Sequence, residues 1–283
     1  MKNTGRRFGN TLIVAATLFL FLFLVPASPL IAQSMPPSDA VAVQKALDRG
    51  KRLYAFDQAA WHATDAFHAD EEVRRQGDAL TSRLGGWIVR KAEPDLLEVL
   101  FFDKSIEDPR QVYIVRLSER GTKVVSNHFV AEDSNAIDPE TMRMIRARHS
   151  ALDSLEGKSV LRCADKPFNI AVLPPEEVDR NILVYILTPQ VDVDRVPFGG
   201  HARIMVDQAG VAGPIHPFTI SCLDFPTRNA KDPTEALVAT QLLDPIPTEI
   251  GVFTMFAAGL PLVVGTPDGR AWLLAAPGGD HER

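Results

Sequence analysis

The chain has 283 residues, is 46% hydrophobic and carries a formal charge of −6 at pH 7. That composition belongs to a globular protein rather than a disordered one. The acidic balance argues against electrostatic binding to nucleic acid or to an anionic membrane surface.

Residues 1–32 have the pattern of a secretory signal peptide. Lys2, Arg6 and Arg7 are the only charges before Asp39, an apolar run extends from Thr11 to Val25, and small residues lead to a cleavage site after Ala32. The run is shorter than the roughly twenty residues a spanning helix needs. Cleavage is therefore the first reading, and a retained membrane anchor is the alternative. Loss of the three basic residues would take the formal charge from −6 to −9. The expected location is the periplasm or the medium, with membrane contact only if the segment is retained.

Residues 33–157 are expected to form helices followed by antiparallel sheet. Asp39 to Leu84 reads as helical, with Ser38 or Asp39 as the first cap and Val43, Ala46 and Leu47 at helical spacing. Gly50 is taken as the end of the first helix. Leu53, Phe56, Ala60 and Ala63 continue the stripe in the next, and Gly85-Gly86 closes the helical region. Trp87 to Val89, Leu96 to Phe102, Val112 to Leu117 and Thr122 to Val130 then read as four strands of a meander. Asp138-Pro139 opens another helix.

Residues 158–283 read as a strand-rich region, either a separate domain or continuous with the preceding one. Phe168 to Leu173, Ile182 to Leu187, Ala202 to Val206 and Phe218 to Leu223 are predicted strands. Residues 201–207 and 215–221 should form a hairpin around Gly210. Thr234 to Leu242 reads as a short helix. Ile250 to Phe256, Leu262 to Val264 and Trp272 to Leu274 read as the last strands. Helices gather early and strands late, so the expected fold class is α+β with antiparallel meanders.

The chain has two cysteines, Cys163 and Cys222. In an exported protein they are expected to pair. Their spacing does not resemble a zinc site, and nothing in the chain indicates a metal or another cofactor.

No G-x-S-x-G elbow, H-E-x-x-H pair, phosphate-binding loop or G-x-G-x-x-G turn is present. Two groups of residues remain as candidates. Asp57, Trp61 and Asp65 are spaced by four on a predicted helix, with His62 three residues before Asp65. An indole between carboxylates suits a polar or cationic ligand, and His62 could pair with Asp65. The second group is Asp192, Asp194, Arg195, His201, Arg203 and His216. In the predicted hairpin, His201 and Arg203 share a face that His216 approaches. With Asp194 they would supply an acid, a base and a cation for general acid–base chemistry. The hairpin makes His201 a surface position.

Three stretches resemble uncharacterised exported proteins of Gram-negative bacteria, of the kind found in sphingomonads. They are Tyr54 to Asp65, Phe198 to Arg203 with Phe218 to Leu223, and Pro247 to Phe253 with Gly265 to Trp272. The resemblance implies export and no known activity, so no residue role comes from it. The expectation is a non-enzymatic periplasmic or secreted binding or accessory protein, for which an envelope protein is a candidate partner. The alternative is a periplasmic hydrolase with an unrecognised His/Asp/Arg site near His201.

Overall fold

The computed structural model describes residues 36–118, 121–175, 180–228 and 234–276. The signal-peptide reading falls on residues 1–32 and lies outside the described residues.

Helix α1 runs unbroken over Pro37–Ala69, about 50 Å at 1.5 Å per residue. Leu53, Phe56, Ala59, Ala60, Ala63 and Phe67 are its buried face. Gly50 does not end it, contrary to the sequence reading. A Cβ there would lie 2.5 Å from both the Glu249 carbonyl oxygen and the Val252 Cβ. The glycine lets helix α5 (Glu249–Ala258) cross α1 in direct backbone contact. Nor do Ser38 or Asp39 cap α1, whose N-cap is Pro36. Asp39 instead pairs with Arg270 at 2.7 Å. Asp70 ends α1 and caps the short helix α2 (Glu71–Gln76), and its other carboxylate oxygen accepts the Tyr113 hydroxyl at 2.7 Å. Helix α3 (Asp78–Thr81) completes the helical region.

Strands β1 (Leu84–Glu93), β2 (Leu96–Asp103), β3 (Gln111–Ser118) and β4 (Val124–Phe129) form the predicted antiparallel meander in sequence order. Helix α4 (Pro139–Asp153) follows, capped by Asp138 through the Thr141 N–H at 2.9 Å. A second antiparallel sheet has the order β5 (Asn169–Leu173), β6 (Ile182–Leu187), β8 (Ala202–Val206), β9 (Ala212–Pro217). Between its strands, β7 (Arg195–Pro197) pairs with β10 (Asp224–Pro226).

The two sheets are sandwiched between helices, and their alternation divides the interior into two cores. On β2, Leu97, Val99 and Phe101 face the core shared with α1, while Leu100 and Phe102 face the core shared with α4. On β6, Leu183, Tyr185 and Leu187 join the first core, and Ile182, Val184 and Ile186 the second. Every residue of β6 is buried. Glu98 is the one charged residue buried in β2. It accepts Arg90 and Arg116 Nε–H bonds, each at 2.9 Å, and Arg90 also pairs with Asp138. Burial alone would raise the Glu98 carboxyl; the two guanidinium groups outweigh it and hold it below its ordinary value.

The α+β class and the antiparallel meanders are as expected, but three C-terminal assignments change. Residues 250–256 are not a strand, because they lie in α5, which ends at Gly259 in the left-handed conformation. Residues 234–242 are not a helix. They contain β11 (Leu237–Thr240), which pairs parallel with β12 (Leu262–Gly265), and β12 pairs antiparallel with β13 (Ala271–Leu274). Residues 218–223 form bends rather than a strand. The hairpin around Gly210 is present, but its returning arm is β9, with Arg203 opposite His216 and Ile204 opposite Ile215. Cys163 and Cys222 are bonded, with Cα atoms 5.4 Å apart.

Among the described residues, no helix is long and apolar enough to cross a membrane. Nor do three His, Cys, Asp or Glu side chains gather to hold a metal ion there.

Candidate functional site

The two residue groups singled out in the sequence have different fates. Asp57 and Trp61 lie one helical turn apart on α1 and line a cavity of about 310 Å³. Trp87 of β1 adds a second indole, and Phe253 of α5 adds a phenyl ring. The segment from Leu187 to Val193, after β6, supplies another wall, and Val196 and Pro197 of β7 complete it. Asp192, grouped in the sequence with His201, therefore belongs with Asp57. Trp61 is 52% exposed and stacks on His62, with ring centroids 5.5 Å apart. His62 and Asp65 do not line this cavity, and no hydrogen bond or ion pair joins them among the described residues.

Asp57 is the chemically distinctive wall residue. Its carboxylate has no hydrogen bond or ion pair among the described residues. Burial raises its pKa from the ordinary 3.8 to about 6. Asp57 is half-buried and lines the cavity. A carboxylate that is partly desolvated and has no protein partner is a candidate for a functional role. The sign of the linked pH effect follows directly. The fold favours protonated Asp57, so the penalty is absent below about pH 4, grows as pH rises, and is complete above about pH 6. Asp57→Asn should therefore stabilise the protein by on the order of 2 kcal/mol at pH 8 and by almost nothing at pH 4. Urea denaturation at the two pH values measures this; an equal effect at both would contradict it.

The second group does not converge. His201 is buried, 1% exposed, and is not the surface position expected from the hairpin. It precedes β8 and turns inward. Its Nδ1 accepts the Thr188 N–H at 3.1 Å, and its Nε2–H donates to the Pro197 carbonyl at 3.0 Å. Burial lowers its pKa to about 4, against a smaller opposing effect of the Pro197 bond. Both ring nitrogens are thus committed to the backbone, which leaves neither for proton transfer. A smaller cavity of about 190 Å³ adjoins His201 and Thr219.

Arg203 pairs with Glu249, the first residue of α5, and Glu249 also accepts the Tyr185 hydroxyl at 2.9 Å. His216 meets Asp244 at 3.2 Å. Burial raises the Asp244 carboxyl, and its Oδ2 is buried without a hydrogen bond among the described residues. Glu249 and Asp244 are therefore the acids of this region, and sequence reading missed both because only tertiary packing brings them to Arg203 and His216. Asp194 turns back on its own loop, its N–H donating to the Asp192 carboxylate at 2.9 Å and its carbonyl accepting from Thr227.

Comparison with known proteins brings no relative to this site. No family model, curated protein or solved structure matches the chain. What the cavity can do therefore rests on its own chemistry: an unpaired carboxylate, two indoles and a phenyl ring around a space of small-ligand size.

Proposed function

We propose that this protein is an exported, non-enzymatic binding module that takes a small ligand in the Asp57 cavity and works in the periplasm or the medium. The observation that carries the reading is the Asp57 carboxylate, which lines the cavity together with Trp61 and Trp87 and has no hydrogen bond or ion pair among the described residues. A half-buried carboxylate that lines a cavity and has no protein partner is available to a ligand. The bond between Cys163 and Cys222 supports an oxidising location.

The hydrolase alternative receives less support. No hydrogen bond or ion pair links His201 to Arg203, His216 or Asp194 among the described residues. The arrangement gives no nucleophile activated by a neighbouring base.

The binding reading is tested by NMR and indole fluorescence of the mature protein against a fragment library. Ligands should perturb Trp61 and Trp87 together. Hits confined to other surfaces, or no hits, would refute it. Export is tested separately by cell fractionation and intact-mass measurement, for which the expected result is a soluble protein beginning at Gln33. A full-length chain in the membrane fraction would establish the anchor instead.

A further inference from the structure

We propose that the ligand of this cavity is an amphipathic organic cation with N–H donors, a primary or secondary ammonium on an aromatic or branched aliphatic body. This deepens the binding reading and rests on it.

Charge is the first ground. Asp57 and Asp192 are among the wall residues, and no Lys, Arg or His is. An anion would meet two carboxylates with no cation to offset them, whereas an ammonium would supply the counter-charge Asp57 lacks.

The second ground is which hydrogen-bonding groups are already used. The Thr64 hydroxyl donates to the Ala60 carbonyl at 2.7 Å, and the Thr188 hydroxyl donates to the Gly199 carbonyl at 2.9 Å. The Gln190 amide donates to the Asp192 carbonyl at 3.0 Å. With these protons engaged, the hydroxyls offer a ligand only lone pairs, and Gln190 has its side-chain carbonyl oxygen to offer. The carboxylates accept only. Such walls suit a ligand that donates, and an ammonium with two or three N–H groups satisfies more of them than a quaternary nitrogen can. The remaining donors are neutral, the indole N–H groups and the amides of Gln58 and Asn169, and suit a hydroxyl or carbonyl elsewhere on the ligand.

Shape and apolar surface give the third. Trp61, Trp87 and Phe253 line the space, and aromatic rings attract organic cations. Val191 and Val193, 67% and 78% exposed, extend the apolar lining to the outside. A volume near 310 Å³ is at the lower end for ligand sites, which limits the occupant to a compact molecule.

Four probes of one shape separate the possibilities: phenethylamine, its N,N,N-trimethyl analogue, 2-phenylethanol and 3-phenylpropionate. Calorimetry on the mature protein at pH 8 should show phenethylamine binding at least tenfold more tightly than the alcohol and the propionate, and several-fold more tightly than the trimethyl analogue. Asp57→Asn should remove at least tenfold for the amine and much less for the alcohol, with a cooperative urea transition showing that the variant is folded. Trp61→Ala should weaken the amine and the alcohol alike. If the alcohol or propionate binds as tightly as the amine, or the Asp57→Asn variant keeps full amine affinity, the cavity remains a ligand site and the cation assignment falls. Tighter binding of the trimethyl analogue would overturn the N–H requirement. If none of the four binds and the fragment library also finds nothing at Trp61 and Trp87, the binding reading fails with it.

Discussion

Reduction of the Cys163–Cys222 bond is expected to lower the stability of the folded chain by about 4 kcal/mol, the chain-entropy value for closing a loop of this length. The two cysteines are 59 residues apart, and the loop they close contains all four strands of the second sheet. Opening it frees that whole sheet in the unfolded chain. The native geometry around the bond is also tight. Gly200, at φ +77°, lies where a Cβ would come 2.8 Å from the Cys163 sulfur and 2.6 Å from the Thr188 hydroxyl oxygen. The test is urea denaturation with and without reductant, combined with peptide mapping under non-reducing conditions. An unchanged midpoint with the bond demonstrably reduced would remove the crosslink from the account of stability.

Loss of the Glu249 carboxylate should cost a comparable amount. Glu249 is 4% exposed and Tyr185 is fully buried. Glu249→Ala would leave the Arg203 guanidinium partly buried without its carboxylate and the Tyr185 hydroxyl without its acceptor. Breaking one side of such a buried pair costs about 3–5 kcal/mol. Glu249→Gln retains an acceptor for Tyr185 and Arg203, so a smaller loss of about 1.5–3 kcal/mol is expected, the size of a hydrogen bond to a charged group. The ordering of the two variants is the decisive measurement. If Glu249→Ala proves no worse than Glu249→Gln, the network does not hold α5 against the second sheet. The Arg203 guanidinium also lies 5.6 Å from the centre of the Phe218 ring, so part of its environment survives in both variants.

Much of the first half was legible because its signals are local. Strands β1 to β4 are short runs rich in β-branched, aromatic and other apolar residues, their turns carry Pro94 and Asp95 or Gly121, and α4 begins with Asp138-Pro139. The errors fall where tertiary packing decides. Residues 250–256 are apolar almost throughout, and such a run has no period to separate helix from strand. The structure buries eight of the ten residues of α5, which explains why no polar face was visible. Gly259 is a readable helix terminator, but a glycine after an apolar run ends a strand as readily as a helix. Gly50 misled for the opposite reason: its signature resembles a stop, yet it serves a helix crossing with a partner two hundred residues away. The same limit applies to the cavity. The spacing of Asp57 and Trp61 on α1 was legible, while Trp87, Thr188, Gln190 and Phe253 reach it only through the packing of two sheets and α5.

That spread of the cavity wall along the chain has a thermodynamic consequence. Its first residue is Asp57 and its last is Ala257, so the wall is completed only when α5 docks on α1. A ligand held there is bound by the whole unit and by no smaller part of it. Saturation to a hundred times Kd would add about 2.7 kcal/mol to global unfolding. The slowest-exchanging amides of β2 and β3, which touch no part of the cavity, should then gain hydrogen-exchange protection along with those of α5.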